Sequence, residues 1–221
     1  MDPQVIIEFS TEALKAGNNV MDIAKETGIY ELAKSWVGTW KTDVDARRKK
    51  NLINMLESTI KEFEDKGLPY KIIPIELRVS VSILEEASLE DDEFMRKLWA
   101  NLFANATYEN SKSNVDIACV DVLRRLSLQD AEILLTIYKQ PFENFNDNVI
   151  TKELPSGVRI SNGGKEELKF DLSENIEFSL SNLERLGCIN GMQRMGPSRD
   201  YHLISRTILG KKVYESCTLD F

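Results

Sequence analysis

Residues 88–106 read SLEDDEFMRKLWANLFANA. Four consecutive acids, Glu90 to Glu93, run straight into an apolar segment that carries Trp99. Such a cluster is either a set of carboxylates for a metal or a reaction, or the start of a helix. Ser88 stands three residues before Asp91, a variant of the capping box in which a serine and an acid satisfy each other's backbone N–H groups. The acids then fall in the first turn, where unpaired amide N–H groups favour negative charge. Arg96 and Lys97 follow Glu93 at the spacing of helical ion pairs. Phe94, Leu98 and Leu102 form one apolar row and Met95, Trp99 and Phe103 the next, so Trp99 and Phe103 are expected on one side of a helical core. A cation site needs carboxylates converging from separate elements, and nothing nearby supplies them. The run is therefore expected to be a helix start, with Ser88 as a cap that contributes about 1 kcal/mol.

Working outward, IPIELRVSVSILEEA precedes this stretch. Its alternation of Ile75, Leu77, Val79, Val81 and Ile83 suits a strand. Pro74 in a first turn and the unbroken continuation through Ala87 favour a helix, which is the reading adopted. Downstream, Val115 to Leu126 reads as a helix. Ser127-Leu128-Gln129-Asp130 repeats the serine–acid spacing and opens another helix through Ile133, Leu134, Ile137 and Tyr138. Four helices are thus predicted between Pro74 and Tyr138. Upstream, a helix is predicted over Ser10–Glu26. A long one follows over about Ile29–Lys66, with Trp36, Val37 and Trp40 on its first apolar stripe. Leu52, Ile53, Leu56, Ile60 and Phe63 lie on its second, and Arg47-Arg48-Lys49-Lys50 stands between the two. Gly67 followed by Pro69 ends it.

After Tyr138 the composition shifts. PFENFNDNV and LPSGVRISNGGKEE are rich in turn residues around one or two short strands. SENIEFSLSNLERLG predicts a helix ended by Gly187. CINGMQ, RMGPSRD and YHLIS predict strand, turn and strand, and Thr207 caps a last helix. Helix, loop, helix, hairpin, helix is the order of a winged helix-turn-helix module. The fold class expected is mainly α: an N-terminal multi-helix region with a long helix, residues 1–125, followed by a winged-helix-like α+β module with a small hairpin, residues 126–221.

Three of these stretches carry a resemblance. IPIELRVSVSILEEASLEDDEFMRKLWANLFANA and VLRRLSLQDAEILLTIY resemble the bacterial Abi-alpha (abortive infection alpha) proteins, and NLERLGCI with YHLISRTILGKKVYESC is similar to the family's ending. The similarity runs from about Arg47 to Cys217. It implies a role in bacterial defence against phage, and it brings no catalytic residues with it.

Composition narrows the functions. The chain has 221 residues, 42% of them hydrophobic and 29% charged, the balance of an ordinary soluble globular protein. A net charge of −8 disfavours nonspecific attraction to nucleic acid or anionic lipid. No apolar run reaches roughly 18 residues, and the N-terminus lacks the pattern of a signal peptide. A cytoplasmic protein is expected. Cys119, Cys188 and Cys217 have neither CxxC spacing nor a disulfide framework, and read as buried or idle thiols. His202, the only histidine, sits in a strand-like run and reads as structural. Walker, HExxH and GxSxG patterns are absent, so no catalytic, metal or cofactor-binding residues are assigned and an enzyme is not expected.

Three functional readings stay open. The first is a defence protein acting through protein contacts, with a second copy in a dimer or with a defence-system or phage protein. Trp36, Val37 and Trp40 are its candidate contact residues, although the same chain could cover them. The second is a nucleic-acid-binding regulator or sensor using Arg185, Arg194 and Arg199. It is disfavoured, because residues 126–221 hold 11 Lys and Arg against 14 Asp and Glu. The third is a membrane-perturbing effector using residues 10–45, where Asp22, Glu26, Glu31 and Asp43 favour a water-soluble resting state.

Overall fold

The computed structural model describes residues 43–67, 75–108, 111, 115–140, 148–161, 170–193 and 199–219. The chain divides between Asn114 and Val115 into two compact units. The Ser10–Glu26 helix, the first half of the long helix and its Trp36, Val37 and Trp40 lie outside the described residues.

Among the described residues the first unit has α1 (Asp43–Asp65), α2 (Leu77–Leu89) and α3 (Glu93–Thr107). Each packs on the other two. In α1 the buried row is Leu52, Met55, Thr59 and Phe63. Ile53, Leu56 and Ile60 are only half-buried, so the predicted stripe is turned slightly about the helix axis. Thr59 is tolerated inside because its hydroxyl reaches the Met55 carbonyl at 3.0 Å. Gly67, at φ +61°, ends the turn after α1 in a conformation that suits glycine.

The segment with strand-like alternation is helical. α2 buries Val79, Ser80, Ile83, Leu84, Ala87 and Ser88, a helical spacing, while Leu77 stays exposed. α3 buries Met95, Leu98, Trp99, Leu102 and Phe103, as the two predicted rows require. Trp99 and Phe103 are each 2% exposed.

Ser88 is not the cap of α3. It lies in the last turn of α2, fully buried, where its hydroxyl donates to the Glu85 carbonyl at 2.6 Å and accepts from Arg48 Nε at 3.1 Å. The cap is Asp92, whose Oδ1 accepts from the Met95 N–H at 3.0 Å. The ion pairs differ as well. Arg96 donates to the Asp91 carbonyl at 2.7 Å, and Lys97 reaches Glu62 of α1 at 3.0 Å.

The second unit is α4 (Ile117–Leu123), α5 (Leu128–Lys139), β1 (Asn148–Ile150), β2 (Arg159–Ser161), α6 (Glu174–Arg185), β3 (Ile189–Gln193), β4 (Arg199–Arg206) and α7 (Ile208–Cys217). The strands form one antiparallel sheet in the order β2-β1-β4-β3. Val149 stands opposite both Ile160 and Ile204, so the apolar register is continuous across the middle of the sheet. α7 packs on α4 and α5, and α6 packs on α5 and β3.

Here two predicted caps hold: Ser127 and Asp130 form a reciprocal capping box on α5, and the Thr207 hydroxyl accepts from the Gly210 N–H to cap α7. Ser173, which the sequence reading did not single out, caps α6. Gly187, at φ +76°, follows α6.

The Tyr138 hydroxyl joins three elements. It donates to the Cys188 carbonyl at 2.6 Å, ahead of β3, and accepts from the Thr207 N–H at 2.8 Å, ahead of α7. Burial pushes this phenol up to about 12, so it remains a donor at neutral pH. Gly210 must be glycine, because a Cβ there would lie 2.2 Å from the Tyr138 oxygen and 2.3 Å from the Cys188 carbonyl oxygen.

Two substitutions test this packing. Trp99→Ala should lower stability by about 3–5 kcal/mol in urea titrations, the cost of emptying a large buried site. Gly210→Ala should cost about 3 kcal/mol or more, because the added methyl meets a backbone carbonyl as well as the phenol. Wild-type stability in either variant would contradict these assignments.

Candidate functional site

The acidic run is the first place to look for chemistry. Glu90, Asp91 and Asp92 serve the local backbone or α1. Glu90 accepts from the Asp92 N–H at 3.0 Å, and Asp92 caps α3. Asp91 receives Arg47 through two contacts of 2.7 Å, and the Asn51 amide at 3.0 Å. Asn51 also donates to the Ser88 carbonyl at 3.2 Å. The run therefore fastens the α2–α3 turn to α1. Among the described residues, no group of three or more His, Cys, Asp and Glu side chains is placed to hold a metal ion.

The second place is the helix–hairpin of the second unit. Glu184 of α6 is its organiser. One carboxylate oxygen accepts from the Gly191 N–H at 3.0 Å and lies 3.4 Å from Arg199 Nε; the other accepts from the Tyr201 hydroxyl at 2.9 Å. Gly191 sits at an irregularity in the β3–β4 pairing, and a Cβ there would lie 2.8 Å from the Tyr201 ring. Burial, helped by the charge of Glu184, raises the Tyr201 phenol and keeps its proton in place.

Of the three arginines singled out in the sequence, two already have partners. Arg199 faces Glu184 across the base of the hairpin. Arg185 donates from Nε at 3.1 Å and from a terminal nitrogen at 2.6 Å to the Asn182 carbonyl oxygen. Asn182 in turn donates to buried Asp130 at 2.8 Å, linking α6 to the start of α5. Arg194 lies outside the described residues. The remaining surface of α6 and its lead-in carries Asp171, Glu174 and Glu177, all exposed, and Phe178, which is 73% exposed. Sequence reasoning passed over Phe178, although its signal was present: an aromatic two residues after inward Ile176 and two before inward Leu180 must point away from the core.

The three cysteines, distant in sequence, all lie buried as free thiols in the second unit. Burial pushes Cys188 up to about 12 and raises Cys217 as well, which keeps both as unreactive thiols. His202 lies in β4, half-buried.

The sequence model of the family "abortive infection alpha" matches residues 47–216. The chain belongs to the Abi-alpha family. No curated protein and no solved structure matches it. Within this Abi-alpha chain the matched span takes in almost every described element of both units. Among the described residues, no helix is long and apolar enough to cross a membrane.

The Asp91 bridge has a pH signature. The Asn51 hydrogen bond is the main cause that holds this carboxyl below its usual 3.8. Partial loss of water opposes it, and the hydrogen bond and charge of Arg47, with the charge of Arg96, add to it. A depressed carboxylate stabilises the fold above the unfolded value, and that contribution disappears as pH falls through the folded one. Thermal melts should therefore show stability falling below about pH 4. In Asp91→Asn this acid limb should be shallower; an unchanged limb would mean that the bridge does not act on folding.

Proposed function

We propose that this Abi-alpha protein is an anti-phage defence protein that works by protein contacts or self-association rather than by catalysis. Its natural setting is the cytoplasm, and its partner is a second copy or a protein of the defence system or the phage.

The exposed side of α6 is the observation that carries this reading. It offers an aromatic ring among carboxylates, with its one arginine turned onto Asn182. Phosphate backbones are gripped by several free lysines or arginines, and this face presents acids instead. An exposed aromatic anchor with a polar surround suits a protein partner. Family membership supplies the biological setting, abortive infection.

In its finer detail we read the second unit as a winged-helix-like module. Support comes from the order α5, α6, β3, β4, with α6 in the place of the second helix and β3–β4 in the place of the wing. In this reading the helix that other winged helices lay in the major groove is turned to protein recognition.

Phe178→Ser, alone and with Glu174→Lys and Glu177→Lys, tests the proposal. These exposed positions should change stability by no more than about 0.5 kcal/mol. Plaque counts on cells carrying the variants should rise at least about tenfold over wild type, a loss of protection of the size that one lost anchor causes. Gel shifts with duplex DNA should show no salt-sensitive binding. Full protection by the triple variant, or tight salt-dependent DNA binding by the parent, would overturn the proposal.

A further inference from the structure

His202 stands between two acceptors. Its Nδ1 contacts the Asp200 carboxylate, and its Nε2 lies 2.6 Å from the backbone carbonyl oxygen of Phe170. The Phe170 ring meets the imidazole edge to face, with centroids 4.5 Å apart. Neither a carboxylate nor a carbonyl oxygen can donate. A neutral imidazole has one N–H and one lone pair, so it can satisfy only one of these oxygens, and at the other two lone pairs would face each other. The imidazolium has two N–H groups and satisfies both.

We propose that His202 is a proton-operated latch. In its doubly protonated form it ties Phe170, three residues ahead of the Ser173 cap of α6, to strand β4. When the ring loses a proton, the Asp200 carboxylate keeps the N–H on Nδ1, and the Nε2 bond to Phe170 is the one that breaks.

The surroundings favour this division. β4 is a central strand, and its backbone is held independently of the ring: the His202 carbonyl accepts from the Thr151 N–H at 3.2 Å, and the His202 N–H donates to Asp200 at 3.0 Å. Among the described residues, the charged groups next to the latch are Asp200 on β4 itself and Asp171 next to Phe170, with Lys152 one residue after Thr151, whose N–H meets the His202 carbonyl; Tyr201, the neighbouring side chain, is bonded to Glu184 of α6. On the other side, residues 170–173 have no regular secondary structure, and among the described residues His202 is what the Phe170 carbonyl is bonded to. The latch is therefore one hydrogen bond, beside an edge-to-face ring contact, between a fixed strand and the lead-in of a helix.

The sign follows from the charge. The tie is complete while the ring is cationic and is lost when the ring gives up its proton on raising the pH. Because His202 is the only histidine, its ring gives one set of nitrogen and carbon-bound proton resonances, which need no assignment.

The experiment uses the full chain labelled with 15N. At pH 6 both ring nitrogens should show the shifts of protonated nitrogens. At pH 8 only Nδ1 should do so, and amide exchange in the first turn of α6, corrected for its intrinsic pH dependence, should be faster by roughly tenfold, the effect of one charge-assisted hydrogen bond. His202→Phe should exchange at the fast rate at both pH values. A neutral ring at pH 6 in the folded protein, an Nε2-protonated tautomer at pH 8, or α6 exchange that ignores pH would each overturn the latch. The nitrogen shifts are read on the wild-type chain, so the test stands even if His202→Phe does not fold.

Discussion

The second unit depends on one hydroxyl in a confined space. Tyr138 ends its helix against two segments that the β3–β4 pairing brings side by side: the turn after α6 and the start of α7. Its oxygen is a donor to one and an acceptor from the other, and both bonds are short. The Thr207 side chain repeats the connection, donating to the Gly187 carbonyl at 2.7 Å while it caps α7. Two backbone turns at the end of the β3–β4 ladder, next to the Ile189–Arg206 pair, are thus satisfied by two side chains. Unpaired, these buried groups would each carry a desolvation cost of about 1–3 kcal/mol. Glycine at position 210 is the steric condition for this arrangement, because the phenol occupies the volume that any side chain there would need.

Two charged clusters in this protein hold elements together. Arg47 and Asp91 lock α1 onto the α2–α3 turn, and Glu184 gathers a backbone amide, a phenol and a guanidinium at the hairpin. Exposed ion pairs are usually worth little, since water screens them and ordering the side chains opposes them. These two differ because each carboxylate also accepts a hydrogen bond from a group fixed by the fold, Asn51 in one case and Gly191 in the other. The carboxylate then sets geometry, and the arginine follows it. A count of basic residues overstates what is free to meet phosphate for the same reason.

What the sequence revealed, and what it hid, divides by range. Ser127 and Thr207 were legible because a cap is decided within four residues. Ser88 shows the same motif and fails, because Glu85 is already helical and offers its carbonyl, while Arg48 arrives from α1. No local pattern contains Arg48. The alternation in α2 misleads similarly: Val79 and Ile83 are inward, whereas Leu77 and Val81 owe their apolar character to nothing the helix buries deeply. The mainly helical architecture with a small C-terminal sheet was readable from periodicity and turn residues. The Tyr138 junction and the Glu184 cluster were not, since their partners lie far apart in sequence.

The exposed face of α6 follows from this internal use of polar groups. Ile176, Leu180 and Leu183 must face the core, and Glu184 and Asn182 are drawn toward the hairpin and α5 by their hydrogen bonds. That leaves a surface strip defined by Glu174, Glu177, Phe178 and Ser181. Nothing in folding requires an aromatic at position 178: a polar residue there would leave the inward packing untouched and would remove apolar surface from water. An amphipathic helix under selection for stability alone has no use for a side chain that is 73% exposed beside two acids. In the reading proposed above Phe178 serves recognition, and the acids around it would set the character of what it meets: an apolar pocket with basic or neutral edges.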